Sequence, residues 1–141
     1  MDKLRILFIC YKNTARSQMA EALARLEGGE RVEVHSAGIE PGELAPEAAD
    51  LIRTWGFDPA QFNSKSLQEF IGQKWNFIIT LCDEAAEACP FFPGDAERIH
   101  WSIPNPNDPA LSPTERKYRF KMAAEEIKQR IEMFLQANLK K

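Results

Sequence analysis

LRILFICYKNTARS, residues 4–17, joins a short apolar segment to a loop that contains a cysteine and an arginine. Residues 4–9 are mostly apolar and have the length of a buried strand. A helix is predicted at residues 17–26, where apolar side chains recur at spacings of three and four. These side chains are Met19, Ala22, Leu23 and Leu26. The loop therefore connects the end of a strand to the start of a helix, which is the geometry of many anion-binding sites.

Cys10 and Arg16 are the reactive groups of this loop. The planar guanidinium of Arg16 can bind two oxygens of a tetrahedral anion. Backbone N–H groups and the helix dipole favour negative charge there, so we expect the pKa of the Cys10 thiol to lie below its usual value. Ser17 can donate a further hydrogen bond to the thiolate. A buried core cysteine is the alternative interpretation, but the position between a buried strand and an amphipathic helix favours a nucleophile.

Composition and charge exclude several classes of protein. The chain has 141 residues, of which 44% are hydrophobic and 28% charged, as expected for a single globular domain spanning residues 1–141. A net charge of -3 argues against a general nucleic-acid binder. No apolar segment approaches the roughly 20 residues that cross a bilayer, and no secretory signal is recognisable. We therefore expect a cytoplasmic, monomeric protein that binds neither nucleic acid nor membrane.

The rest of the chain alternates strands with helices. Strands are predicted at residues 31–36, 77–81 and 98–101, and a helix at residues 46–55. Two further helices begin with capping boxes: a short one at Ser66–Glu69, and a long one that follows Ser112–Glu115 and runs from Pro113 to about residue 137. The apolar faces of the two longer helices are Leu51, Ile52 and Trp55, and Phe120, Ala124, Ile127, Ile131 and Leu135. This alternation predicts an α/β fold with one four-stranded parallel sheet flanked by helices.

Cys82 and Cys89 are seven residues apart, and Cys82 directly follows the predicted third strand. An odd number of cysteines in a reducing cytosol favours reactive thiols over structural disulfides. The isolated His35 and His100 provide no zinc-ligand cluster, so no metal site is expected. Residues 84–88 favour a helix, which would separate the two cysteines by roughly 10 Å along its axis. A disulfide needs Cα atoms within about 7 Å, so the helix would have to unwind for the two cysteines to join.

Three thiols permit a relay by thiol–disulfide exchange. Cys10 would attack an oxyanion, Cys82 would attack the Cys10 adduct, and Cys89 would attack Cys82 and leave a Cys82–Cys89 disulfide. Two ordinary buried cysteines are the alternative. Asp108 lies at the same edge of the predicted sheet and is a candidate acid for the leaving oxygen. Asp-Pro is also a common turn, and the residues alone leave both interpretations open.

These motifs resemble the thioredoxin-coupled arsenate reductases, a family built on the low-molecular-weight protein tyrosine phosphatase fold. The resemblance covers nearly the whole chain and rests on five motifs: Cys10–Ser17, Gln18–Glu21, Ser36-Ala37-Gly38, Thr80-Leu81-Cys82 and Cys89-Pro90. It implies reduction of arsenate to arsenite without a cofactor, reopening of the Cys82–Cys89 disulfide by thioredoxin, and Asp108 as the acid. The residues expected to bind the arsenate or phosphate-like oxyanion are Tyr11, Lys12, Asn13, Thr14, Ala15, Arg16 and Ser17.

Several positions depart from the family's pattern. Family loops often have small residues in place of Tyr11 and Lys12 and a second cysteine in place of Ala15. Lys12 either strengthens the attraction for the anion or points to solvent. The segment from Trp101 to Asp108 is longer than usual.

A further departure concerns potassium. Some members of the family bind it through residues matching Asn13, Glu21 and Ser36 and an aspartate near residues 64–66. This stretch contains Lys65 instead, whose ammonium group can take the place of the cation. We therefore predict that the protein does not require potassium.

Two other functions are compatible with parts of the sequence. A low-molecular-weight protein tyrosine phosphatase would use Cys10, Arg16 and Asp108 and would need neither of the other cysteines. Such phosphatases often carry a tyrosine after the Asp-Pro pair, where this chain has Ala110. A module that senses redox state or binds an oxyanion without turnover is the second alternative, and the intact cysteine–arginine pair argues against it.

Overall fold

The computed structural model describes residues 3–89 and 94–139. The strands are β1 (Leu4–Cys10), β2 (Val32–Gly38), β3 (Phe77–Thr80) and β4 (Glu97–His100), and the helices are α1 (Arg16–Gly28), α2 (Pro46–Thr54), α3 (Asp83–Ala88) and α4 (Pro113–Asn138). Single turns of 3₁₀-helix occupy Gly29–Arg31, Pro59–Gln61 and Leu67–Glu69. Within the described ranges, no helix combines the length and apolar character needed to cross a membrane.

The four strands form one parallel sheet in the order β2-β1-β3-β4. The predicted fold class is confirmed, and β2 lies at one edge of the sheet. Gly38 pairs with Cys10, and Thr80 with Ile9. This register brings the carboxyl ends of β1, β2 and β3 to one edge of the sheet.

Both faces of the sheet are covered, which explains the continuous apolar sequence of β1. Ile6 and Phe8 pack on one face against a core that contains residues of α1 and α4. Leu7 and Ile9 pack on the other face against a smaller core. The smaller core also contains Leu67, Phe70, Trp75, Cys10, Cys82 and Ala85. The reactive cysteines therefore belong to the face covered by short turns and by the six-residue α3.

Most predicted core positions are buried, with exceptions near helix ends. All five residues predicted for the apolar face of α4 are buried. Of the three predicted for the second helix, Ile52 is fully buried, and Leu51 and Trp55 are partly exposed. The prediction for Leu26 is wrong, because its side chain is 47% exposed. The last turn of α1 extends beyond the core, and Gly28 is its only buried residue.

Both predicted capping boxes are present. The Ser112 hydroxyl accepts a hydrogen bond from the N–H of Glu115 at 3.2 Å, and the Glu115 carboxylate accepts one from the N–H of Ser112 at 3.4 Å. Ser66 and Glu69 form the equivalent pair. The first box begins the 26-residue α4, whereas the second begins only a single 3₁₀ turn. A capping box therefore marks where a helix starts and does not determine its length.

Candidate active site

The loop between β1 and α1 turns its carbonyl groups outward. Three of them accept hydrogen bonds from the segment after β2: Tyr11 from Glu40 N at 2.9 Å, Lys12 from Gly42 N at 3.0 Å, and Thr14 from Ala45 N at 2.9 Å. Since the carbonyl groups are bound on the outer side, the N–H groups of the loop are available to an anion on the inner side.

Gly38 lies directly beneath this loop. A Cβ atom at this position would lie 2.8 Å from the carbonyl carbon of Lys12 and 3.0 Å from the backbone nitrogen of Asn13. Both distances are shorter than backbone packing tolerates. The glycine at the end of β2 therefore allows the anion-binding loop to lie against the edge of the sheet.

Asn13 fixes the shape of the loop from within. It has a positive φ of 56° and is fully buried. Its Nδ2 atom donates to the hydroxyl of Ser17 at 2.6 Å and to that of Ser36 at 3.0 Å, and its Oδ1 atom accepts from the N–H of Lys65 at 2.9 Å. The side chains of Asn13 and Ser17 thus support the loop from behind, and neither residue lines the cavity in front of it.

The cavity in front of the loop has a volume of about 230 Å³. Its lining residues are Cys10, Tyr11, Lys12, Thr14, Ala15, Arg16, Glu84, Asn105 and Asn107. Arg16 is only 9% exposed, and its Nη1 atom donates to the carbonyl of Ile103 at 2.7 Å. This bond anchors the guanidinium at the cavity wall. Lys12 is exposed and lies at the mouth, where it faces both solvent and the cavity.

Three cavity residues were missed from the sequence, and three expected residues, Asn13, Ser17 and Asp108, do not line the cavity. Asn105, Asn107 and Glu84 line the cavity, whereas Asp108 does not. The Asp108 carboxylate accepts a hydrogen bond from Ala110 N at 2.9 Å and so stabilises its own turn. The acid role of Asp108 stays a prediction. The sequence offered a signal for the two asparagines, because they lie in the same segment after β4 as Asp108, which was expected at the site.

Cys10 and Cys82 are buried next to each other at 4% and 3% exposure. Interaction with the Cys10 thiol as hydrogen-bond donor lowers the pKa of Cys82 to about 6. The same interaction, together with burial, raises the pKa of Cys10 well above its usual value, although Arg16 acts in the opposite direction. The expectation of a lowered pKa for Cys10 is therefore wrong while Cys82 is present. The two thiols therefore titrate as a coupled pair, since a second thiolate would be repelled by the first.

Cys89 is separated from this pair by α3. It is half-buried, and burial raises the pKa of its thiol, while the nearby Arg98 opposes the increase. Cys10, Cys82 and Cys89 are all free thiols. The predicted helix between Cys82 and Cys89 is confirmed as α3, with the two cysteines immediately before and after it.

Lys65 lies close to a buried carboxylate. Glu21 is 2% exposed and forms an ion pair with Arg25 at 2.5 Å, and the Nζ atom of Lys65 lies 3.7 Å from Glu21 Oε1. The Ser36 hydroxyl donates to the same oxygen at 2.5 Å. A tethered ammonium group therefore lies next to the residues that match the family's potassium ligands. In the part of the chain that the structure describes, no group of three His, Cys, Asp or Glu side chains has the arrangement of a metal site.

The fold and the loop define the class of protein. The sequence pattern of the low molecular weight phosphotyrosine protein phosphatases matches residues 5–141, and the chain belongs to this family. Two curated relatives are arsenate reductases. The one from Halalkalibacterium halodurans is 34% identical over 134 residues, which cover 95% of this chain and 96% of the relative. The one from Bacillus licheniformis is 36% identical over 134 residues, with coverage of 95% and 96%.

Solved structures share the fold. An arsenate reductase in the phosphate binding state has a TM-score of 0.74 at 22% identity, covering 95% of this chain and 98% of that one. A thioredoxin-dependent arsenate reductase of Corynebacterium glutamicum has a TM-score of 0.75 at 26% identity, covering 96% of this chain and 61% of that one. A tyrosine phosphatase of Erwinia amylovora has a TM-score of 0.73 at 16% identity, covering 99% and 95%. The same fold thus occurs in proteins named as reductases and as a phosphatase.

Gly38→Ala should weaken anion binding, because the new methyl group displaces the backbone at Lys12. Overpacking of this kind costs about 1–3 kcal/mol, so phosphate should bind roughly 5- to 100-fold more weakly in isothermal titration. Gly72→Ala is the matched control, since nothing lies within 4 Å of a Cβ atom there. Equal phosphate affinity in the two variants would show that the loop does not depend on Gly38.

Replacing one thiol of the buried pair should shift the pKa of the other. Cys82→Ser removes the neighbouring negative charge, so the pKa of Cys10 should fall towards the value that Arg16 favours. Cys10→Ala removes the hydrogen-bond donor, so the pKa of Cys82 should rise above about 6. Thiolate absorbance in the ultraviolet, followed against pH, measures both shifts. Cys89→Ser serves as the control and should leave both pKa values unchanged, and independent titration of Cys10 and Cys82 would contradict the pairing.

Potassium should have no specific effect on the wild-type protein, because Lys65 supplies a cation close to Glu21. Urea midpoints in KCl and NaCl of equal ionic strength should agree. Lys65→Met should lower the free energy of unfolding by about 1 kcal/mol or more, since Glu21 is buried and loses part of its compensation. Lys121→Met on the exposed surface of α4 is the control. A higher stability of the wild type in KCl alone would contradict the prediction.

Proposed function

We propose that this protein reduces arsenate to arsenite through Cys10, Cys82 and Cys89, and that thioredoxin returns it to the reduced state. The contact between the Cys10 and Cys82 thiols beside an arginine-walled anion cavity carries this proposal. A phosphatase needs only the first of these cysteines. The names of the curated relatives and of the thioredoxin-dependent structural neighbour support the same function.

The first step is attack of Cys10 on the bound arsenate. The loop N–H groups and Arg16 hold the oxygens of the anion, as they would hold phosphate. The sulfur forms a bond to arsenic, and one oxygen leaves as water with the thiol proton and the proton already on the arsenate. Arsenic remains pentavalent at this stage. The proton that the Cys10–Cys82 pair retains supplies one of the two hydrogens of that water.

The second step transfers two electrons to arsenic. Cys82, as the thiolate, attacks the sulfur of the Cys10 adduct. The sulfur–arsenic bond breaks, and its electron pair goes to arsenic, which leaves as trivalent arsenite. A Cys10–Cys82 disulfide remains. The two thiols are already neighbours, so this step needs little rearrangement.

The third step moves the disulfide away from the anion site. Cys89 attacks Cys82, frees Cys10 as a thiolate, and leaves a Cys82–Cys89 disulfide. Because α3 lies between these residues, it must unwind before their sulfur atoms can meet. Thioredoxin then returns both thiols by disulfide exchange. Over the cycle, thioredoxin loses two electrons and arsenic gains two.

A tyrosine phosphatase activity is the second candidate, favoured by the family's own loop. It would use Cys10 and Arg16 in the same positions. Its leaving group needs an acid, and Asp108 does not line the cavity. Because that carboxylate is not in the cavity, we rank the phosphatase behind the reductase.

Arsenate-dependent oxidation of NADPH, coupled through thioredoxin and thioredoxin reductase, tests the relay. Cys10→Ser, Cys82→Ser and Cys89→Ser should each reduce multiple-turnover activity by roughly a hundredfold or more, because each thiol performs a separate covalent step. Glu87→Gln, an exposed residue between the two relay cysteines, is the matched control.

Hydrolysis of p-nitrophenyl phosphate separates the two candidate functions. Activity that requires Cys10 and persists in Cys82→Ser reports loop chemistry independent of the relay. Full arsenate turnover by Cys82→Ser or Cys89→Ser would rule out the three-cysteine mechanism. Fast phosphatase turnover without arsenate reduction would favour the second candidate.

A further inference from the structure

Helix α3 has little to stabilise it internally. It contains six residues, and Ala85 is the only one of them that is buried. Isolated helices of this length are not stable in water. The helical form of the segment must therefore depend on the packing of Ala85 in the smaller core and on contacts that the ends of the helix make with the rest of the protein.

The N-terminal end of α3 is bound to the sheet by a chain of polar groups. The Asp83 carboxylate oxygen Oδ1 lies 2.9 Å from His100 Nε2, and it accepts a hydrogen bond from the Ser102 hydroxyl at 3.3 Å. His100 Nδ1 lies 2.8 Å from the hydroxyl of Thr80, a buried residue of β3.

The C-terminal end of α3 is bound to β4, the strand that contains His100. The carbonyl of Cys89 accepts a hydrogen bond from Arg98 Nη2 at 3.3 Å. Arg98 and His100 are two positions apart in β4, so their side chains project from the same face of the strand. β4 is an edge strand of the sheet, and that face contacts both ends of one short helix.

We propose that Arg98 and His100 are positioning residues that hold α3 in its helical form and so oppose the joining of Cys82 to Cys89. The inference rests on the proposed relay for its functional meaning. Each contact is available only while the segment is helical, because unwinding moves Asp83 and the Cys89 carbonyl away from β4. The contacts therefore stabilise the dithiol state and not the disulfide state.

The step that these contacts oppose is a disulfide exchange. The Cys89 thiol loses its proton to solvent and attacks Cys82, the Cys82–Cys89 bond forms, and the Cys10–Cys82 bond breaks with its electron pair on Cys10. No electrons enter or leave the protein. Holding α3 closed until Cys82 has reacted keeps Cys82 beside Cys10, where it is needed first.

The strength of the contacts suits a segment that must open in every cycle. The Asp83 side chain is 75% exposed and that of His100 is 35% exposed, so solvent competes for their hydrogen bond and weakens it. Contacts of this kind shift an equilibrium by a modest factor. They can order the helix without trapping it.

The reduction potential of the Cys82–Cys89 disulfide, measured in dithiothreitol redox buffers, tests the proposal. Asp83→Ala and His100→Ala should each destabilise the dithiol state and favour the disulfide by about threefold to tenfold, a potential roughly 15 to 30 mV more negative at about 30 mV per tenfold. Asp83→Asn keeps an acceptor oxygen and should restore part of the difference. Glu87→Ala, an acidic residue of the same helix without this contact, should match the wild type.

A double-mutant cycle and hydrogen exchange complete the test. Asp83→Ala combined with His100→Ala should have little more effect than either change alone, since both remove one interaction. Amides of residues 84–88 should exchange faster in these variants and in Arg98→Gln, while those of β1 and β3 are unchanged. Unchanged potentials and unchanged exchange would overturn the proposal. If the wild type forms no Cys82–Cys89 disulfide, the proposed relay fails, and the exchange of α3 still decides whether β4 holds the helix.

Discussion

The hydrogen bonds of the buried Asn13 amide hold the active site together. They connect the anion-binding loop to Ser17 of α1, to Ser36 of β2 and to the backbone of Lys65. A left-handed backbone conformation costs most residues about 1–2 kcal/mol, and asparagine tolerates it better than others. Three hydrogen bonds without solvent competition offset that cost. The loop can therefore keep its carbonyl groups outward and its N–H groups inward before any anion arrives.

Arg16 acts on two kinds of negative charge in one place. Its guanidinium is fixed at the wall of the anion cavity. Its charge favours the thiolate forms of both Cys10 and Cys82, although Cys82 and burial keep the pKa of Cys10 raised. In the proposed reaction, the raised pKa of Cys10 keeps a proton on the thiol pair. That proton reduces repulsion of the incoming oxyanion and is available to the departing oxygen.

Local patterns in the sequence predicted most of the fold. The β1 run, the periodicity of α4 and the two capping boxes depend on neighbouring residues, and the structure confirms them. The wrong or missing predictions concern burial, cavity lining and pKa values that depend on segments distant in the sequence. Leu26 is exposed because α1 extends beyond the core, and the lining by Asn105 and Asn107 depends on the path of the chain after β4. The raised pKa of Cys10 follows from its interaction with Cys82, which lies 72 residues further along the sequence.

The parallel sheet explains why one cysteine pair is preformed and the other is not. β1 and β3 are adjacent strands, and adjacent strands lie about 4.8 Å apart. A cysteine at the end of β1 and one just after β3 are therefore brought together by the sheet itself. Cys89 lies beyond a helix and has no strand to position it. Cys89 can approach Cys82 only if α3 unwinds. Because α3 has one buried side chain, unwinding exposes little apolar surface.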